Sequence, residues 1–190
     1  MNNFVIDPEA IAAQLPKGKL PPVEQWNPQS CGEIDMCIER DGTWVHESQP
    51  IRREAMVRLF STILRRDEDG EYYLVTPVEK LRLKVADAPF VAVAMTVHGS
   101  GREQVLTFRT NVGDEVMAGP DHAIRVVEDA GSAEPSPYVH VRAGLEALIA
   151  RAVFYDLVEL ADEEEIDGER LFGVWSAGRF FALGDPGEDL

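Results

Sequence analysis

The chain has 190 residues, 45% of them hydrophobic, and a formal net charge of −16. That length and apolar content suit one ordinary domain or two small units sharing a core. The charge excludes nucleic acid and anionic membrane surfaces as general partners, because either would meet long-range repulsion.

No apolar run approaches the roughly 20 residues that a membrane helix needs, and Met1 to Asp7 lack a basic segment followed by an apolar one. A soluble, cytoplasmic protein is the expectation. Cys31 and Cys37 are spaced for neither a redox pair nor a zinc pair, so they read as reduced, buried thiols on one strand face. Residues 91–190 carry 7 basic against 19 acidic residues, net −12, whereas residues 51–66 hold Arg52, Arg53, Arg58, Arg65 and Arg66 against Glu54 alone.

In chain order, Asp7-Pro8 predicts an N-cap and first helical residue, with a short helix to about Leu15. Pro16, Pro21, Pro22 and Pro28 then predict an extended arm. Ile34, Met36 and Ile38 alternate, and Asp41-Gly42 before Thr43-Trp44-Val45 completes a hairpin signal. Ile51, Ala55, Met56, Leu59, Phe60, Ile63 and Leu64 recur at helical spacing through Leu64. Strands follow at Glu71–Thr76, around Leu81 to Val85, at Phe90–Val97, at Val105–Phe108 and at Ala123–Val127. Leu145, Leu148, Ile149, Ala152, Val153, Leu157 and Leu160 predict a second helix from about Arg142 to Leu160. The acidic run Asp162–Glu165 reads as a solvated loop, and a final hairpin turns at Ala177-Gly178.

Arg53-x-x-Met56-x-x-Leu59-Phe60 and Arg142-x-x-Leu145-x-x-Leu148-Ile149 superpose at a constant offset. A duplicated strand–helix–strand unit follows. The expected fold is α+β, with two tandem related units, each a helix packed on an antiparallel sheet. Residues 1–24 form an N-terminal helix and arm, 25–78 the first unit and 79–190 the second.

Gly32-Glu33-Ile34-Asp35-Met36, Asp41-Gly42-Thr43-Trp44, Val57-Arg58-Leu59-Phe60, Tyr72-Tyr73-Leu74-Val75-Thr76-Pro77-Val78-Glu79-Lys80, Asp87-Ala88-Pro89-Phe90 and Gly173-Val174-Trp175-Ser176-Ala177-Gly178 occur in that order. Together they resemble the domain of unknown function 1285 family from about residue 25 onward. The resemblance implies a bacterial protein of duplicated α+β units, the second similar to a pleckstrin-homology fold. It further implies a nucleotide-type ligand site between the units and a signalling role, and it supplies no established activity.

Among candidate site residues, Arg53 and Arg142 are expected to project from the apolar faces of their helices near the start. A cation there opposes the helix dipole and favours a nearby anion. The competing reading is a structural ion pair with Glu33, Asp35, Glu79 or Asp87. Lys80 and Arg82 are either donors beside an inter-unit groove or the solvated face of a strand. Trp44, Tyr138, Trp175 and Arg179 are either a stacking surface for a base or ordinary packing. Arg52, Arg58, Arg65 and Arg66 form either a basic surface for an acidic or phosphorylated partner or a solvated face.

Enzyme signatures fail. Ser176 lacks the spacing of a nucleophile elbow and no histidine follows it, Asp67-x-Asp69-Gly70 lacks the rest of a calcium loop, and Gly99-Ser100-Gly101 lacks the lysine of a phosphate loop. His46, His98, His122 and His140 lack metal-ligand spacing. The expectation is a non-catalytic ligand-binding or signalling module with no cofactor or metal. It binds a small anionic, nucleotide-like ligand through Arg53, Arg142 and Lys80 with Trp175 packing nearby. A protein-interaction adaptor without a small ligand, or an unrecognised hydrolase, are the alternatives.

Overall fold

The computed structural model describes residues 20–127, 135–166 and 168–184. The helix expected from Asp7 lies outside these residues. No helix among them is long and apolar enough to cross a membrane.

The chain divides into two compact units at Pro89/Phe90. In the first, a single 3-10 turn at Val23–Gln25 precedes β1 (Ser30–Ile38), β2 (Trp44–His46), β3 (Gln49–Pro50), α1 (Glu54–Thr62), β4 (Leu64–Arg66), β5 (Tyr72–Val75) and β6 (Glu79–Val85). The sheet runs β3-β2-β1-β6-β5-β4. Only its central pair, β1 and β6, is parallel. Because β6 lies between β1 and β5, the expected boundary at residue 78 moves to 89.

The second unit contains β7 (Phe90–His98), a 3-10 turn at Gly101–Glu103, β8 (Val105–Thr110), β9 (Glu115–Met117), β10 (Ile124–Val127), β11 (Ser136–Arg142) and β12 (Leu145–Ile149). It continues with α2 (Arg151–Val158), β13 (Asp162–Ile166), β14 (Glu169–Ser176) and β15 (Arg179–Gly184). The order β10-β11-β12-β7-β8-β9 repeats the first sheet strand for strand, again with only the central pair, β7 and β12, parallel. A separate sheet, β13-β14-β15, follows.

The duplication therefore lies in the sheets and not in the helices. In the first unit α1 connects the third strand to the fourth; in the second, α2 follows the sixth strand. The segment expected to repeat α1 begins as a hairpin, turning at Ala143 and Gly144 with φ of 44° and 74°. Leu145, Ala147 and Ile149 are buried in alternation with half-buried neighbours, which is strand periodicity. Arg142 is consequently the last residue of β11 and has no structural equivalence to Arg53.

The curl of the second sheet follows from its connections. A flat six-stranded sheet would hold β9 and β10 roughly 24 Å apart at its two edges. Only residues 118–123 join them, and part of that length forms a turn in which Gly119 and His122 exchange backbone hydrogen bonds. The sheet must curl, and it does so around Phe90, Leu106, Phe108, Val139, Leu145 and Ile149, all nearly or wholly buried. The β14–β15 hairpin is fixed to it by Ser176, whose Oγ donates to the Ala118 carbonyl (2.7 Å) and accepts from the Leu106 amide (2.9 Å). Two further expectations change: Asp162–Glu165 form the outer strand β13, and Cys31 is exposed while Cys37 is half-buried, with a register irregularity between Glu33 and Cys37.

Candidate functional site

In the first unit, β6 carries Lys80 beside the Asp67 carboxylate (Nζ to Oδ2, 2.7 Å), with its ammonium 4.2 Å from the Tyr73 ring centre. Asp67 also accepts from Arg65, whose Nη1 donates to the carbonyls of Val23 and Trp26, both at 2.8 Å. This network ties the N-terminal arm to β4. Burial works to raise the Asp67 pKa, but the hydrogen bonds and charges of Arg65 and Lys80 more than offset it and hold the carboxyl below its ordinary range. Tyr73 donates to Asp69 (2.7 Å), and that bond, with burial second, pushes its phenol up to about 12.

Trp44 is 1% exposed and packs on Phe60 with ring centres 6.2 Å apart. Its Nε1–H finds no partner among the described residues. Burying the ring contributes about 4–6 kcal/mol of apolar burial, against about 1–3 kcal/mol for the unmet donor. The ring belongs to the core and offers no open face to a ligand.

In the second unit, Arg142 forms an ion pair with Asp114, which lies in the β8–β9 turn, and its guanidinium stands 5.0 Å from the Phe90 ring centre. The carboxylates expected to pair with it are elsewhere: Glu33 meets Arg82 and Asp87 meets Arg40. Tyr138 is buried under Arg125 (4.4 Å), which itself grips Glu146 through two hydrogen bonds of 2.6 Å. Trp175 donates to Glu164 (2.9 Å), lies against Phe180 and is flanked by Arg102, which binds Glu164 at two points. The Arg102 and Trp175 hydrogen bonds hold the Glu164 carboxyl below its ordinary range. Arg179 is exposed, near the Phe181 ring (5.7 Å).

The seven expected residues thus separate into Trp44, Arg53 and Lys80 in one unit and Tyr138, Arg142, Trp175 and Arg179 in the other. Sequence reasoning missed Asp67, Asp114 and Glu164, which engage these groups, and Glu146, which holds Arg125 over Tyr138, because the tertiary fold brings them near and spacing along the chain does not.

Arg53 differs. It is the N-cap residue of α1, with its carbonyl accepting from Met56 and Val57, and it is exposed rather than turned inward. Among the described residues the guanidinium groups of Arg52, Arg53 and Arg58 are exposed and form no hydrogen bond or ion pair. Glu54 is the only acid of α1, and Met56, Val57 and Leu59 beside them are half-buried. Arg65 and Arg66 leave the expected basic surface because they lie on β4, where Arg65 is engaged as above and Arg66 stacks on Tyr72 and donates to the Gly70 carbonyl.

Two family models match the chain: "Domain of unknown function (DUF1285), N-terminal domain" over residues 21–88, and "Protein of unknown function (DUF1285), C-terminal domain" over residues 89–183. The crystal structure of a DUF1285 family protein from Silicibacter pomeroyi DSS-3 is 52% identical, with a TM-score of 0.84 over 95% of this chain and 96% of that one. A DUF1285 family protein from Shewanella baltica OS155 is 26% identical, with a TM-score of 0.53 over 68% of this chain and 94% of that one. Both relatives are bacterial. No curated protein matches.

Proposed function

The chain belongs to the DUF1285 family, and from its own side chains we propose that it is a non-catalytic recognition module which engages an acidic or phosphorylated protein segment at the start of α1. One observation carries this reading. Arg52, Arg53 and Arg58 are exposed and unengaged among the described residues, while Lys80 and Arg142 are held by Asp67 and Asp114. A group already neutralised gains little by turning to a ligand, because breaking a partly buried pair strands its partner.

Magnitudes favour an extended partner over a small molecule. An exposed ion pair contributes about 0.2–1 kcal/mol, and the helix dipole adds about 0.3–1 kcal/mol for an anion at its N-terminus. Three such contacts alone give weak affinity. An interface that also covers Met56, Val57 and Leu59 adds apolar burial beside the arginines, a combination common at protein–protein contacts. Phosphate would suit these side chains best, since guanidinium groups bind it at two points.

The test is fluorescence anisotropy of a labelled peptide of glutamate and phosphoserine titrated with the full chain. The triple variant Arg52→Glu, Arg53→Glu, Arg58→Glu should weaken binding at least tenfold with an unchanged melting temperature. Equal binding by that variant would end the proposal. Thermal stabilisation by ATP that disappears in Arg53→Ala, with no peptide binding, would instead favour the nucleotide-like ligand.

A further inference from the structure

β7 keeps a partner on one side for most of its length and loses it early on the other. β8 pairs with it from Ala92 to His98, whereas β12 pairs with it only from Phe90 to Ala92 before the chain turns at Ala150 into α2. In the first unit the corresponding strand, β6, accompanies β1 from Ser30 to Ile38. Among the described residues no strand pairs with that side of β7 beyond Ala92. Leu106 fixes which groups line this open edge. Its amide donates to Ser176 and its carbonyl accepts from Ala118, both away from β7, so Leu106 and Val97 are a non-hydrogen-bonded antiparallel pair. Val97, and Met95 two residues before it, consequently turn their N–H and C=O groups to the edge, where among the described residues they form no hydrogen bond.

The side chains along this edge suit a further strand. Met95 and Val97 stand opposite Phe108 and Leu106, which are wholly buried, so all four share the core face. Met95 is half-buried, and Val93 and Val97 are 42% and 38% exposed. Sheet edges are ordinarily blunted by charge or proline. The end strands of all three sheets follow that rule, with Pro50 on β3, Arg66 on β4, Glu115 on β9, Arg125 on β10, Glu163 on β13 and Arg179 on β15. Val93 to Val97 carry neither.

We propose that the open edge of β7 takes an extended peptide segment as an added strand, one with alternating apolar side chains and basic flanks. Its backbone completes the hydrogen bonding of Met95 and Val97, and its alternate side chains cover the apolar ledge that these two residues form. Charge selects the flanks, because residues 91–190 carry a net −12. A second copy of the chain is the poorer occupant. It brings another net charge of −16, and a contact through so short an edge buries far less than the roughly 1,200 Å² of a stable interface between folded proteins. The edge is also separate from the arginines at the start of α1, which belong to the first unit and call for a partner of the opposite charge.

The experiment is amide hydrogen exchange of the full chain, read by NMR with and without a short peptide of alternating valine and threonine flanked by lysines. The Met95 and Val97 amides should exchange about tenfold more slowly in its presence, while those of α1 stay unchanged. Val97→Pro removes one donor from the open edge, a place where strands tolerate proline, and should weaken binding of the labelled peptide about tenfold with the core amides still protected. Absence of binding, or binding that leaves both native amides unprotected, would overturn the proposal without depending on any variant folding. Protection that grows with protein concentration in the absence of peptide would overturn it in favour of a second copy. Equal protection by the same peptide with glutamate in place of lysine would overturn the charge selection.

Discussion

Asp67 carries more of the first unit than its two hydrogen-bonded cations suggest, because Arg65 reaches past it to the carbonyls of Val23 and Trp26. Asp67→Asn leaves two partly buried cations without their counter-charge, and a loss of about 1–3 kcal/mol in urea unfolding is expected. The pH dependence follows from the depressed folded pKa. The carboxylate stabilises the fold above its ordinary value near 4, and that contribution disappears as pH falls through the lower folded value. Asp67→Asn should flatten the part of the stability profile below about pH 4. A variant with the same acid slope as the native chain would show that the network contributes nothing there.

Asp114 and Arg142 join the β8–β9 turn to the end of β11 in the curled second sheet. A double-mutant cycle with Asp114→Ala and Arg142→Ala should return a coupling of about 0.5–3 kcal/mol. Additive effects would mean that the pair is incidental to the joining of that turn and strand.

At the level of elements, turns decide what apolar patterns leave ambiguous. Ala143-Gly144 and Ala177-Gly178 both have two consecutive positive φ values, the geometry of a tight hairpin turn. The second was legible because alternating residues flank it. The first was hidden, since Leu145, Leu148 and Ile149 match helical spacing while Leu145, Ala147 and Ile149 match a strand. The same ambiguity extended α1 over Ile63 and Leu64, which are buried as the helix C-cap and the first residue of β4.

Most strands could be read from alternation, whereas the acids that hold Lys80, Arg142 and Trp175 could not, since their partners lie between 11 and 28 positions away. Gly173 illustrates a constraint invisible to periodicity. A Cβ there would lie 2.2 Å from the Phe181 carbonyl oxygen, so Gly173→Ala must displace backbone in β15. A loss of about 1–3 kcal/mol, typical of overpacking, is expected in denaturant unfolding; an unperturbed variant would contradict that close approach.

For the whole molecule, a charge of −16 and a basic head on α1 act over different distances. At about 0.15 M salt the Debye length is about 8 Å, so an acidic segment docked at Arg52, Arg53 and Arg58 is largely screened from the distant carboxylates. At about 0.01 M the length reaches about 30 Å and the net negative field returns. Affinity for an acidic peptide should therefore pass through a maximum at intermediate salt. A steady fall from low salt upward would mean that the local arginines dominate at every distance.

The shared sheet order of the two units, with helices at different positions in each, leaves only the first unit a helix between its third and fourth strands. Arg58 lies on that helix, Arg53 caps it and Arg52 precedes it, all three exposed and unengaged among the described residues. The decisive measurement is NMR of the arginine Nε–H groups in the full chain as a phosphorylated acidic peptide is added. Recognition at the head of α1 predicts that the signals of Arg52, Arg53 and Arg58 move while those of Arg65 and Arg142 stay in place; movement of the latter pair with the former unchanged would contradict it.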